Sequence, residues 1–165
     1  MRYPVLLAVL LTVGCGSTRE HKLGPEWRPL EAIVEGNLPL VSDTAITTMG
    51  ARCYVADLGE WLAAHPPAGP DFAAILAHEQ EHARRQADAS GGPAPWVARY
   101  LVDRAFAWAE EQRGWRVELR ARRAAGVLRP PEVYASILAD YRNATGKLVS
   151  YADALAFVHA VLSEP

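Results

Sequence analysis

The segment DFAAILAHEQEHARRQA, residues 71–87, decides the fold of this chain and contains most of its candidate chemistry. Its apolar residues recur every three or four positions, which is the period of an amphipathic helix. A proline-rich loop over residues 63–70 precedes the segment, and the cluster Ser90-Gly91-Gly92-Pro93 follows it. Because both flanks break helices, the sequence predicts a helix from Asp71 to about Ala87.

This helix contains the run His78-Glu79-Gln80-Glu81-His82, which fits the pattern H-E-x-x-H. Two histidines four residues apart lie on one helix face, so both imidazoles can bind one metal ion. At about 100° per residue, His78, Glu79 and His82 fall on the apolar arc, whereas Gln80 and Glu81 fall on the opposite arc. Burying these three side chains is costly unless they bind a partner, so we predict one zinc ion, Zn²⁺, with Glu79 as general base.

A second helical stretch is predicted from near Pro95 to about Ala125, with a kink near Asp103. It can supply the third protein ligand that a catalytic zinc site requires. The acidic candidates are Asp103, Glu110, Glu111 and Glu118. Glu111 lies in an apolar stripe between two tryptophans, where a carboxylate needs a partner. We therefore expect Glu111 to be the ligand, ahead of Glu110 and then Glu118.

Two further roles stay open on the sequence alone. Gln86, one turn beyond His82, either orients a metal ligand or is a polar residue at a helix end. Hydrolysis also requires a donor to the developing oxyanion. The sequence does not choose among the candidates, which are Tyr100, Tyr134, Tyr141, Arg142 and His159. His159 has apolar neighbours and is more typical of a buried core histidine than of a ligand.

The two motifs resemble those of gluzincin-type zinc metallopeptidases, in which a later helix supplies a Glu to the H-E-x-x-H site. They are most similar to small bacterial and phage proteins with H-E-x-x-H-x-x-x-Q followed by E-x-x-[small]-[aromatic]. Here these motifs are residues 78–86 and 111–115, and the resemblance covers roughly residues 45–120. It implies hydrolysis of a peptide or protein substrate, which would lie along a strand within residues 47–55.

A non-catalytic protein is the alternative interpretation. A zinc-binding envelope lipoprotein with a zincin-like fold could keep the metal for structure alone. Glu79 argues against this alternative, because a structural site requires no general base. Structural zinc sites also tend to have four protein ligands.

The N-terminal residues predict export and lipidation. Residues 1–14 have a positive start and an apolar run too short to span a bilayer, which is typical of a signal peptide. The run Leu11 to Cys15 resembles the lipobox of bacterial lipoprotein precursors, which implies a lipid anchor on Cys15. We therefore expect an envelope protein that faces the periplasm or the exterior, with Gly16 favouring the outer membrane. Residues 15–37 are predicted to be a lipidated tether and residues 38–165 the domain.

The remaining patterns complete a mostly helical α+β domain with a small sheet or hairpin before the H-E-x-x-H helix. Residues 45–56 predict short strands around Gly50. Helices are predicted from Pro130-Pro131 to about Tyr141, and from the capping residue Ser150 to about Leu162. The net charge of −2 does not favour a nucleic-acid partner. Cys53 is expected to be a buried, unbridged residue, and the sequence indicates no oligomeric state.

Overall fold

The computed structural model describes residues 19–36 and 46–165, so the predicted signal peptide and Cys15 lie outside the described residues. Within this part of the chain, the protein is a mostly helical α+β domain with one four-stranded and one two-stranded sheet, as expected. No helix among these residues combines the length and the apolar character that a membrane span needs.

The four-stranded sheet has the order β1-β2-β4-β3, in which β2 and β4 pair in parallel and the other pairs are antiparallel. Its strands are β1 (Glu20–Lys22), β2 (Ala32–Glu35), β3 (Thr47–Met49) and β4 (Arg52–Val55). Gly50 forms the turn between β3 and β4 with a φ of 64°, a conformation that favours glycine. The strands predicted around Gly50 are confirmed, and they place β3 at the edge of the sheet.

The segment of residues 19–36 belongs to the folded domain, so the tether predicted for residues 15–37 is wrong for this part. Strands β1 and β2 lie here, and Ile33 of β2 is fully buried. Most charged residues of the segment are in the connections and in the edge strand β1, whereas Glu35 ends β2. The domain therefore begins before residue 38.

Within residues 19–36 and 46–165, six α-helices follow the four strands of this sheet. They are α1 (Leu58–Ala64), α2 (Pro70–Asp88), α3 (Pro93–Val102), α4 (Arg104–Ala124), α5 (Pro131–Asp140) and α6 (Tyr151–Ser163). The sequence predicts α2, α5 and α6 to within one or two residues but misses α1. The long helix predicted from 95 to 125 is interrupted at Asp103, whose carboxylate accepts a hydrogen bond from the Phe106 N–H at 3.0 Å and caps α4. A two-stranded ribbon, β5 (Arg142–Asn143) and β6 (Gly146–Lys147), precedes α6.

Buried apolar side chains form two clusters. The helical cluster packs α4 against α5 and α6 and includes Trp115, Leu119, Tyr134, Leu138 and Phe157. The sheet cluster lies around the sheet, α1 and α2, and includes Ile33, Cys53, Trp61, Phe72 and Leu76. Helices α2 and α4 share the most extensive helix contact in the described chain, and this contact joins the two clusters.

Ile33→Ala tests whether residues 19–36 are part of the core. We expect a loss of about 2–5 kcal/mol in the free energy of unfolding, because a buried Ile leaves a cavity. Urea denaturation measures the change. The control Glu31→Ala alters an exposed side chain two residues away and should stay within about 0.5 kcal/mol of wild type. Equal, negligible effects of both substitutions would contradict the observed strand.

Candidate metal centre

Three buried side chains converge between α2 and α4. His78 and His82 lie on α2, and their Nε2 atoms are 3.0 Å apart. Glu111 of α4 has Oε2 3.5 Å from His78 Nε2 and Oε1 3.5 Å from His82 Nε2. The ligand atoms of the three residues all lie within 4.8 Å of one another, so the three can hold a metal ion. The two histidines and the carboxylate predicted as ligands are thus brought together.

The donor set fits a metal ion. Glu111 Oε2 is buried and has no hydrogen-bond partner among the described residues. Leaving a buried carboxylate oxygen unsatisfied is costly, and a cation bound between it and the two imidazole nitrogens would remove that cost.

The charges around the centre support the same conclusion. Four carboxylates are buried on α2 and α4, namely Glu79, Glu110, Glu111 and Glu118. Glu110 binds Arg85 and Arg113 at 2.9 and 2.8 Å, and Glu118 binds Arg122 at 2.9 Å. Within the described chain, Glu79 and Glu111 contact no arginine or lysine. A cation at the centre would balance these two.

Glu118 holds the first histidine rather than the metal. Its Oε2 lies 3.0 Å from His78 Nδ1, so a proton on Nδ1 leaves Nε2 free as a ligand atom. Its Oε1 accepts from Arg122, and Arg122 also bonds to Asp71 in the first turn of α2. These ion pairs connect α4 to the first turn of α2. By contrast, His82 Nδ1 has no hydrogen-bond partner among the described residues.

The ionisable groups of the centre shift one another's pKa. Burial lowers the pKa of His78, but the carboxylates of Glu111 and Glu118 outweigh burial and hold it well above its usual value. Burial raises the pKa of Glu111, but His78 and His82 outweigh burial and hold it well below its usual range. A metal ion therefore has to displace a proton from His78, and its affinity should fall as the pH is lowered.

Glu79 is oriented from the sheet. The Thr48 hydroxyl of β3 donates to Glu79 Oε2 at 2.7 Å, and Thr48 Oγ1 lies 3.2 Å from Cys53 Sγ of β4. All three side chains are buried. Burial raises the pKa of Glu79, although His78 and His82 oppose this shift.

Gln86 is fully buried and binds the main chain of β3 and of the turn that follows it. Its Nε2 donates to the Thr48 carbonyl at 2.9 Å, and its Oε1 accepts from the Gly50 N–H at 2.7 Å. Both ends of the amide bind the main chain in this way, so of the two interpretations left open for Gln86 the contacts do not support orientation of a metal ligand. Its side chain points at the edge of the sheet instead. There it occupies the Thr48 carbonyl and the Gly50 N–H, with which an extended peptide could otherwise form backbone hydrogen bonds.

Gly114 allows α4 to approach the histidines. A Cβ atom at this position would lie 2.5 Å from His78 Cδ2 and Nε2. The next residue, Trp115, packs edge-on against the His78 ring at 5.7 Å between centroids. The small residue and the aromatic residue of the second motif therefore both contact His78.

Two of the five oxyanion-donor candidates lie close to the site. The Tyr100 hydroxyl donates to Glu111 Oε1 at 2.5 Å. The Tyr141 hydroxyl accepts from Trp115 Nε1 at 3.3 Å, and burial together with the charges of Glu111, Glu118 and Glu79 raises the pKa of Tyr141. Their proximity to the site carboxylates distinguishes both tyrosines from the remaining candidates.

The other three candidates are committed elsewhere or exposed. The Tyr134 hydroxyl accepts from the main-chain N–H of Arg129 at 2.8 Å. Arg142 and His159 are exposed. The expectation of a core position for His159 is therefore wrong, because the apolar face of α6 passes through Val158 and Val161 instead.

Comparison with known proteins gives no match to a family model, a curated protein or a solved structure. The site therefore has to be interpreted from its own geometry. Thr48 and Arg122 were not predicted as parts of it, and Glu118 was expected only as the third-ranked candidate for the metal ligand rather than as the partner of His78 Nδ1. The spacing of Glu118 agrees with its contact to His78, because it follows Glu111 by seven residues and so lies on the same face of α4.

Glu111→Ala and Glu110→Ala distinguish the metal ligand from its neighbour. Loss of Glu111 should abolish stoichiometric metal binding, because only two protein ligands remain. Loss of Glu110 removes contacts to Arg85 and Arg113 but no ligand, so metal content should persist. Metal analysis of the dialysed proteins measures both. The reverse pattern would overturn the assignment of Glu111.

Gly114→Ala tests the close helix contact. Alanine stabilises a helix by about 1 kcal/mol relative to glycine, so a loss of metal affinity in this variant cannot come from a lower helix propensity. We expect metal affinity to fall by about 10- to 100-fold, the size of effect seen when a ligand's support is disturbed. Competition with a chromogenic chelator measures the affinity, with Gln112→Ala on the same helix as control. Unchanged affinity in Gly114→Ala would show that the contact does not govern the centre.

Proposed function

We propose that this chain is a zinc-dependent metallopeptidase that hydrolyses peptide bonds in a peptide or protein substrate. The observation that carries the proposal is the convergence of His78, His82 and Glu111 on one buried point, beside Glu79 on the same helix face. Two imidazole nitrogens and one carboxylate oxygen are a known protein ligand set of catalytic zinc, which keeps a further position for water or substrate. The resemblance of the motifs to gluzincins supports the same reaction.

The residues around the centre have the chemistry that hydrolysis requires. A zinc ion bound there would polarise the scissile carbonyl and lower the pKa of a bound water. Glu79 accepts the proton of the attacking water and passes it to the leaving amine. Tyr100 fixes Glu111 through its hydroxyl. Tyr141, which burial and the nearby carboxylates hold in its protonated form by raising its pKa further above the ordinary value, is our candidate donor to the developing oxyanion.

The burial of the site favours a second candidate function. His78, Glu79, His82 and Glu111 are exposed by only 4, 5, 6 and 4%. A non-catalytic envelope lipoprotein that uses zinc to stabilise its fold would bury its ligands in this way. The described residues supply three ligands rather than the four that structural zinc sites favour, and this ranks the structural role second.

We infer a location in the bacterial cell envelope from the N-terminal sequence. A lipid on Cys15 would anchor the chain, and β1 begins only five residues later at Glu20. Five residues span at most about 18 Å when fully extended. The domain would therefore work close to the membrane surface, which limits its substrates to those that reach that surface.

Glu79→Gln separates hydrolysis from metal binding. The amide keeps the size of the side chain but cannot accept the proton, so we expect kcat to fall by about 10²- to 10⁴-fold. Zinc content should remain stoichiometric, because Glu79 is not among the three ligands. Cleavage of casein or of a peptide library, together with metal analysis, measures both quantities.

The outcomes distinguish the two candidate functions. Stoichiometric zinc without hydrolysis in either wild type or Glu79→Gln would favour the structural lipoprotein. Failure to bind zinc under metal-replete conditions would exclude both. Glu81→Gln, at a variable position of the same motif, is the matched control and should keep wild-type activity.

A further inference from the structure

The strand β3 is attached to α2 at two points, and both involve Thr48. The Thr48 hydroxyl donates to Glu79 Oε2 at 2.7 Å, and the Thr48 carbonyl accepts from Gln86 Nε2 at 2.9 Å. Glu79 and Gln86 are seven residues apart, two turns of the same helix face. These two contacts fix where β3 packs along the axis of α2, and they therefore also fix the position of the Thr48 hydroxyl.

The direction of the hydroxyl is fixed as well. Thr48 and Cys53 are directly opposite each other in the antiparallel pair of β3 and β4, so their side chains share one face of the sheet. Thr48 has a single hydroxyl proton, which goes to the carboxylate. The Cys53 thiol, whose pKa is raised by burial, keeps its proton and donates it to Thr48 Oγ1 across 3.2 Å. The two hydrogen bonds therefore run in one direction, from the Cys53 thiol to the Thr48 hydroxyl and from that hydroxyl to Glu79 Oε2.

Without the hydrogen bond from Thr48, the Glu79 carboxylate could take a second position as a ligand of the metal ion. Glu79 follows His78 directly on α2 and shares a helix face with His82, and among the described residues it forms no ion pair with an arginine or lysine. A carboxylate so placed can turn toward a bound cation and become an additional ligand. It would then be unable to take a proton from water.

We propose that Thr48 is a positioning residue that holds Glu79 Oε2, keeps Glu79 out of the ligand set and leaves Oε1 to accept the proton. Cys53 and Gln86 in turn position Thr48. This inference rests on the proposed metallopeptidase function. It adds to that function a residue that determines whether Glu79 accepts a proton from water or binds the metal ion.

Thr48→Val removes the hydroxyl at nearly constant shape. We expect kcat to fall by about 10- to 100-fold with KM nearly unchanged, since misplacement of a catalytic group costs this much. Zinc content should stay stoichiometric, and Thr48→Ser should restore most of kcat. Thr47→Val is the matched control, because Thr47 lies on the other face of the same strand. It should behave as wild type.

A second measurement does not depend on activity. In protein loaded with Co²⁺, the visible absorption bands report the ligand set, and their pH dependence reports ionisation of bound water. We expect Thr48→Val to change both, whereas Thr48→Ser and Thr47→Val match wild type. If Thr48→Val does not fold, Cys53→Ala is measured in the same way and should show a smaller change of the same sign.

The outcomes separate the two proposals. Wild-type kcat and wild-type Co²⁺ spectra in Thr48→Val, alongside an inactive Glu79→Gln, would overturn the role of Thr48 and leave the peptidase function standing. No hydrolysis by the wild type would overturn the peptidase function. In that case an altered Co²⁺ spectrum in Thr48→Val would still support the control of Glu79 by Thr48, and an unaltered spectrum would overturn it.

Discussion

The contact between α2 and α4 at Gly114 is the constraint on which the rest of the structure depends. Two histidines and a carboxylate can share one cation only if the helices approach closely, and here the His78 ring occupies the space where a Cβ would be. Such proximity buries several charges, which is unfavourable unless each has a partner. Arg85 and Arg113 balance Glu110, Arg122 balances Glu118, and the remaining charge favours a bound cation.

The parts of the site that lie on one helix follow from the sequence. The helical period places His78, Glu79 and His82 on the inner face of α2, and all three are buried. The same reasoning selects Glu111 over Glu110, and the structure places Glu111 with the histidines while Glu110 pairs with arginines. Local spacing determines these directions, so no knowledge of the tertiary structure is required.

The contributions from other elements could not be predicted. Thr48 meets Glu79 across 31 residues of sequence, and this contact depends on where the sheet edge packs against α2. Strands β1 and β2 are three and four residues long, too short for a clear periodic signal, and β2 pairs in parallel with β4 across a long stretch of sequence. The role of Gln86 stayed open because helix geometry gives the direction of a side chain but not the group it meets.

The two apolar clusters contribute different ligands to one centre. His78 and His82 belong to the helix that packs against the sheet, whereas Glu111 belongs to the helix that packs against α5 and α6. A cation bound at this point would link the two clusters, and its binding free energy would depend on both being folded. A substitution that loosens either cluster would therefore lower the affinity of the centre for a metal ion before the domain unfolds completely.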